Sequence, residues 1–346
     1  MAGHSFFGAY LGLASFSDST PRVESTAYSR PRHAFAWPLA AGNRPAWASV
    51  SSGEDAMLTI YPSLGKCIYC QKEGVDLTDE HIIPLSLQGF LVFDDASCVP
   101  CARLTNKFES RVIQSLEHFR VRYNLNTRNP ADRRKKAFLF WSKQADGTKK
   151  RVTIPHSELP ATAMLYKFGR ANILQGWPPD IPIFEWLPVP YSDGMALKAA
   201  MDKYGWDGSL QIKTIPNEFA QMLAKIGHSY AIAELSKVLG VRAFESFAPL
   251  CTDIILGNAK NYSYVVGGSL ELKKEADSTS DHFIGLGFIQ QPWRPKLLVV
   301  TVRLFQQMGT PHHHIVVGRV ETDAQVRLVE EYFSESATVQ QSFHGI

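Results

Sequence analysis

The chain is poor in cysteine, with five among 346 residues. It also lacks any uninterrupted apolar run near the ~20 residues that a membrane helix needs. Scarce cysteine excludes a scaffold built from disulfides, and a chain of this length can bury a core without cross-links. The missing apolar runs exclude helical membrane spans. No Lys or Arg precedes Arg22, so the basic start of a secretory signal is absent and a cytoplasmic location is expected. Charge of one sign is scarce as well: 36 Lys and Arg against 33 Asp and Glu leave a net +3. With 45% hydrophobic and 20% charged residues, wholesale disorder is excluded.

What cysteine there is lies close together. Cys67 and Cys70 form one C-x-x-C pair and Cys98 and Cys101 a second, with 27 residues between them. In a reducing compartment such pairs suggest metal binding rather than disulfides. Each C-x-x-C turn aims two thiolates at one ion, and two turns complete a closed tetrahedron, the arrangement of a structural Zn²⁺ site. A closed site leaves no open coordination position, so any chemistry comes from residues beside it. Cys251, within Phe247-Ala-Pro-Leu-Cys251, reads as a buried small hydrophobe.

Three regions differ in texture. Residues 1–56 are rich in Ser, Ala, Pro and Gly without helical or strand periodicity. Two readings stand open for them: an upstream segment that is not native, with Met57 the natural start, or a flexible arm. Residues 57–122 hold the cysteines and a helix predicted over 103–122 from Leu104, Phe108, Val112, Leu116 and Phe119. Residues 123–346 form a larger region of unassigned role. There, Phe138–Trp141 and Arg151–Ile154 around Asp146-Gly147 predict a β-hairpin. Helices are predicted at 160–174, 194–204, 216–224 and 229–239, with Gly240 as a C-terminal cap. Strands are predicted at 262–266, 282–289, 297–304 and 314–320, an antiparallel sheet covered by helices.

The charge is unevenly spread. Residues 102–151 carry 14 Lys and Arg against 4 Asp and Glu, so 14 − 4 = +10, and the rest sums to 3 − 10 = −7. Arg103, Lys107 and Arg111 fall at four-residue spacing on the predicted helix, and Arg133, Arg134, Lys135 and Lys136 follow in a predicted loop. Such a stretch is either a solvated face or a footprint for nucleic-acid phosphates, and its place after the cysteines favours the latter.

Between the two cysteine pairs runs Thr78-Asp79-Glu80-His81-Ile-Ile-Pro84. The order C-x-x-C, acid–His–x–x–Pro, then C-x-x-C opening a helix resembles the HNH endonucleases, whose core is a ββα-metal finger. The resemblance covers about residues 65–110. It implies an HNH zinc module there, and with the helix and strand pattern beyond it the fold class is α+β: that module followed by a larger α+β domain with a C-terminal antiparallel sheet. It further implies His81 as the base that activates water, with Glu80 and Asn106 holding a divalent ion, Mg²⁺ or Mn²⁺, against a phosphodiester. DNA rather than RNA is the expected substrate, and protein partners are unassigned. Where many relatives carry His or Asn directly after the last cysteine, this chain has Ala102; for the family's middle Asn only Asp94 or Asp95 stands nearby. Asp79, next to Glu80 on a strand, projects to the other side.

Three functions therefore compete. The first is an endonuclease. The second is a zinc-dependent module that binds nucleic acid without cutting it, which the departures at Ala102 and Asp94 leave open. The third is a protein-interaction scaffold using the sheet within residues 160–346. The other histidines are weaker pointers. His312-His313-His314 alternate in direction on a strand, His228 reads as a core or cap residue, and nothing requires His118 near a substrate.

Overall fold

The computed structural model describes residues 58–122, 125, 137–160, 162–181, 185–192, 194–208, 214–268, 282–289 and 296–342. The segment 1–56 and the basic loop Arg133, Arg134, Lys135 and Lys136 lie outside the described residues. The protein is a mixed α+β fold, with the four-cysteine cluster in its N-terminal part and an antiparallel sheet towards its C-terminus.

The first unit is a small sheet and a helix. β1 (Thr59–Tyr61), β2 (Leu77–His81) and β3 (Leu91–Cys98) pair in the order β1-β3-β2, with β2 antiparallel to β3. The chain then enters α1 (Val99–Ser115) and α2 (Glu117–Arg122). Pro100 sits at the start of α1, where its fixed φ suits a helix and its missing N–H costs nothing. Cys101, Thr105, Phe108 and Val112 are the buried stripe of α1. The predicted helix over 103–122 is thus two helices: the chain leaves helical geometry at Leu116 (φ −99°, ψ 15°), whose side chain is buried.

Strands β4 (Ala137–Lys143) and β5 (Lys149–Pro155) make the predicted hairpin in full antiparallel register. Its turn holds Gly147 at φ +83°, and the Asp146 carboxylate accepts from the Thr148 amide and hydroxyl (2.9 and 2.7 Å). The helix predicted at 160–174 is instead β6 (Thr162–Phe168), followed by the single turn α3 (Asn172–Gln175). Nearly every residue of β6 is buried, so the apolar run shows no face by which period distinguishes strand from helix. Pairing with β7 (Trp186–Ser192) decides it. α4 (Gly194–Tyr204) matches its expected position.

α5 (Pro216–Leu239) is one helix of 24 residues where two were predicted. Gly227 lies mid-helix for packing: a Cβ there would stand 2.8 Å from Ile315 Cγ2. The helix therefore lies directly on the sheet below it. Gly240, at φ +55°, ends it. Then come β8 (Ala248–Pro249), α6 (Thr252–Ile255), β9 (Val266–Gly268), β10 (His282–Ile289), β11 (Lys296–Leu304) and β12 (His313–Val320). They form the expected antiparallel sheet in the order β10-β11-β12-β8, with β9 also on β12; the strand predicted at 262–266 is instead a 3-10 turn over Tyr262–Tyr264, with the strand beginning at Val266. A last helix, α7 (Asp323–Ser342), was not anticipated. It opens on a reciprocal cap: Gln325 N–H donates to Thr322 Oγ1 (3.2 Å), and Gln325 Oε1 accepts from the amides of Glu321 and Thr322.

The core does not divide at residue 122. One continuous cluster of buried side chains runs from Tyr61 and Phe93 through Phe219 and Leu235 to Val300 and Tyr332. A separate, smaller cluster joins the hairpin to α4 through Phe138, Phe140, Ile154, Leu197 and Trp206. Among the described residues no helix is long and apolar enough to cross a membrane.

Candidate metal centre and adjoining cleft

The four thiols converge from two chain segments. Cys67 and Cys70 flank a tight turn closed by the Gln71 amide donating to the Cys67 carbonyl (2.9 Å), with Gln71 at φ +58°. Cys98 ends β3, and Cys101 sits in the first turn of α1. All four Sγ atoms lie within 4.8 Å of one another, and Cys70 Sγ is 3.7 Å from Cys98 Sγ. A zinc tetrathiolate with ~2.3 Å bonds has tetrahedral edges of ~3.8 Å, so the donors already stand at ligand spacing. None of the four is in a disulfide. Burial pushes the Cys67 and Cys101 thiols up, and a divalent cation reverses that preference because a coordinating thiol is deprotonated outright. The cluster can hold a zinc ion.

Beside the cysteines, β2 and α1 form two walls of a cleft of about 690 Å³. Glu80, His81, Asn106 and Arg103 all line it, so the structure brings together the residues singled out between and after the cysteine pairs. The register between β2 and β3 shifts between Thr78 and Glu80. Asp94 and Asp95 lie in the shifted segment, Asp95 at φ +41°, and the Asp95 amide donates to Asp79 Oδ1 (3.2 Å). These three carboxylates are exposed. A hydrogen bond with Asp79 holds the Asp94 carboxyl above the ordinary range. Neither Asp94 nor Asp95 lines the cleft, although Asp79 does.

The unexpected member is Lys225. It rises from α5 with no solvent exposure and places its ammonium 2.5 Å from Glu80 Oε1 and 2.9 Å from Glu109 Oε1. It also donates to the carbonyls of His81 and Ile82. Burial pulls this ammonium down, but Glu109 and Glu80 outweigh burial and hold it above the usual lysine range, so it is charged. A buried ion repays its desolvation only when paired and hydrogen-bonded on several sides; two carboxylates and two carbonyls meet that condition here. Tyr69, inside the first C-x-x-C turn, borders the same group. Burial, then the charges of Glu80 and Glu109, push its hydroxyl far up. Its ring stacks on His228 at 5.9 Å, and His228 Nε2 meets the Ile68 carbonyl at 2.8 Å. The cysteine turn and the carboxylates thus share a wall.

Glu80 is therefore not an open carboxylate: its side chain is 7% exposed and tied to Lys225. Asn106 is exposed on α1, its Oδ1 accepting from Ser110 Oγ (3.3 Å). The basic stripe divides. Arg103 lines the cleft and Lys107 does not. Arg111 points to α5, where it pairs with Glu218 at 2.8 Å. Arg120 was missed and lines the cleft, its Nε donating to the Ser86 carbonyl (3.1 Å). The break at Leu116 starts the new helix that carries it.

His118, His313 and His314 pack into the protein. His118 meets Phe138 edge-on at 4.8 Å, and burial pulls it down to about 4. His313 is buried against the Tyr166 carbonyl (2.8 Å), and Thr301 Oγ1 lies 3.1 Å from His314 Nδ1. Among the described residues the three consecutive histidines form no metal-ligand cluster. Cys251 is fully buried, as expected.

No family model matches the chain, and no solved structure matches it. It is similar to a ribosomal RNA large subunit methyltransferase H from Streptococcus uberis, 27% identical over 105 residues. That match covers 29% of this chain and 66% of the relative.

Proposed function

We propose that the chain is a metal-dependent endonuclease of the HNH type, hydrolysing phosphodiester bonds of nucleic acid, with DNA as the expected substrate. The observation that carries this reading is the shared cleft: His81 at the end of β2 and Asn106 on α1 line one cavity in a strand–strand–helix unit anchored by four thiols. Zinc in the thiol cluster would shape the loop, and a reducing cytoplasm would keep the cysteines available for it.

The cleft also offers oxygen donors of the kind a hard divalent ion takes, from Glu80, Glu109 and Asn106. Because Glu80 already answers to Lys225, Mg²⁺ or Mn²⁺ there would keep most of its waters, as Mg²⁺ ordinarily does. When bound, such an ion supplies Lewis-acid polarisation of the phosphoryl oxygens. His81 would take the proton from the attacking water, a task suited to an imidazole near neutral pH. Lys225 fixes the backbone of His81 through its carbonyl. Arg103 and Arg120 present positive charge where a phosphodiester would lie.

A second reading, a zinc-dependent module that binds nucleic acid without cutting it, draws support from the Glu80–Lys225 pair. A carboxylate neutralised within the fold is a weaker ligand for an exchangeable ion. The relative's name is that of an enzyme of ribosomal RNA, which makes RNA a substrate to assay beside DNA. Purified protein incubated with plasmid DNA, single-stranded DNA and RNA, with Mg²⁺ or Mn²⁺, separates the readings. Cleavage that falls at least a hundredfold in His81→Ala supports the nuclease. Equal cleavage by both proteins removes His81 as the base, and binding without cleavage of any substrate favours the module.

A further inference from the structure

The β4–β5 hairpin presents one exposed face that is both apolar and cationic. Along β4 burial alternates strictly, with Phe138, Phe140 and Ser142 inward. The inward rings fill the small core with Trp206 and Leu197. The opposite face carries Leu139 at 55% exposure and Trp141 at 58%. Register places Thr153 across from Leu139, Arg151 across from Trp141 and Lys149 across from Lys143, and residues directly opposite share a face. An exposed Trp thus lies among three cationic side chains, and neither strand contains an Asp or Glu.

We propose that this outer face binds single-stranded DNA, Trp141 stacking on an unpaired base while Lys143, Lys149 and Arg151 meet the flanking phosphates. Aromatic side chains interleaved with cations are what unpaired strands require, because every base offers a π-face and every linkage a negative charge. A duplex hides its base faces, and an apolar protein partner would gain nothing from three cations. The platform is held in place. Ser142 Oγ donates to the Gly205 carbonyl (3.0 Å), the Asp207 amide donates to Ser142 Oγ (3.0 Å), and the Lys143 amide donates to Asp207 Oδ2 (2.8 Å). The inward face is held as well, by His118 of the short helix α2, which packs against Phe138 and Phe140.

The choice of DNA rests on the nuclease reading, but the binding surface does not, and the test keeps them apart. Full-chain protein carrying His81→Ala, without added divalent ion, is titrated into a labelled oligo-dT strand and its affinity read by anisotropy. Trp141→Ala is expected to weaken binding about tenfold, and Trp141→Phe to retain most of it. Removing Lys143, Lys149 and Arg151 together is expected to flatten the salt dependence by about two units, from about 0.7 per phosphate contact. Duplex DNA of the same length is expected to show no Trp141 dependence. Unchanged affinity in Trp141→Ala, with the fold intact by circular dichroism, overturns the proposal. So does a change from dimer to monomer in Trp141→Ala without loss of DNA affinity, which would assign the face to a second copy of the chain.

Discussion

The thiol cluster and the Lys225 group are two concentrations of ionisable side chains that share a wall, and they differ in where a cation would come from. Four sulfurs stand within 4.8 Å of one another, and burial disfavours the thiolates of Cys67 and Cys101, a preference that a bound divalent ion would reverse. Glu80 and Glu109 receive their cation from the fold itself, through a lysine 144 residues beyond His81 in the chain. A zinc ion in the first arrangement would make local structure depend on metal supply. The second makes the cleft wall depend on how α5 packs against α1. A loop bearing His81 is thereby tied from both sides.

The largest effect expected is on the thiol side. Structural zinc contributes on the order of 10 kcal/mol in small metal-folded domains, so chelation or Cys101→Ser should cost more than any other single change. Hydrogen exchange should then show lost protection in β2, β3 and the start of α1, while β10–β12 stay protected. The Lys225 group should ignore chelators and fail by mutation instead. Lys225→Met removes the ammonium shared by Glu80 and Glu109 and is expected to cost about 3–5 kcal/mol in denaturant unfolding. Millimolar Mg²⁺ should recover part of that loss in the variant and raise the parent's Tm little, the outcome that most sharpens the contrast.

Titration separates both clusters from a third source of instability. Burial pulls His118, His313 and His314 down to about 4. Their folded pKa lies below the unfolded value of ~6.5, so the unfolded state binds more protons. Stability is complete above that pH and falls as pH drops towards 4, by at most ~3 kcal/mol per histidine. His118→Phe should flatten the acid slope of Tm between these limits. Lys225 has the opposite sign: its pKa is raised, so its contribution is full below the unfolded lysine value of ~10.4 and is lost only as pH climbs beyond it. The smallest effect belongs to Arg111→Ala. Its pair with Glu218 is half-exposed, and its loss should shift stability by about 0.5 kcal/mol or less.

The parts legible in sequence are those whose partners are near in the chain or whose period is clean. Cys67, Cys70, Cys98 and Cys101 declare a shared site through ligand spacing. The hairpin declares itself through Phe138, Phe140 and the Asp146-Gly147 turn. Residues 162–168 do not, because a short run buried on both faces satisfies strand and helix alike. Gly227 reads as a break in α5 until Ile315 and Val317 are seen pressing on it. Lys225 leaves one faint signal, a lone cation inside the apolar stretch Met222–Ala233. Its partners are too distant in sequence for spacing to name them. Arg111 shows the converse: its four-residue spacing with Arg103 and Lys107 suggests one phosphate-binding stripe, yet α5 claims it.

Metal stoichiometry tests the central contrast most directly. Parent protein and Lys225→Met, purified under reducing conditions without added metal, are assayed for zinc by mass spectrometry and for reactive thiols. One zinc per chain in both proteins, with Cys67, Cys70, Cys98 and Cys101 protected from a thiol reagent until a chelator is added, is the predicted result. Zinc-free parent protein with four freely reactive thiols and an unchanged fold would contradict it.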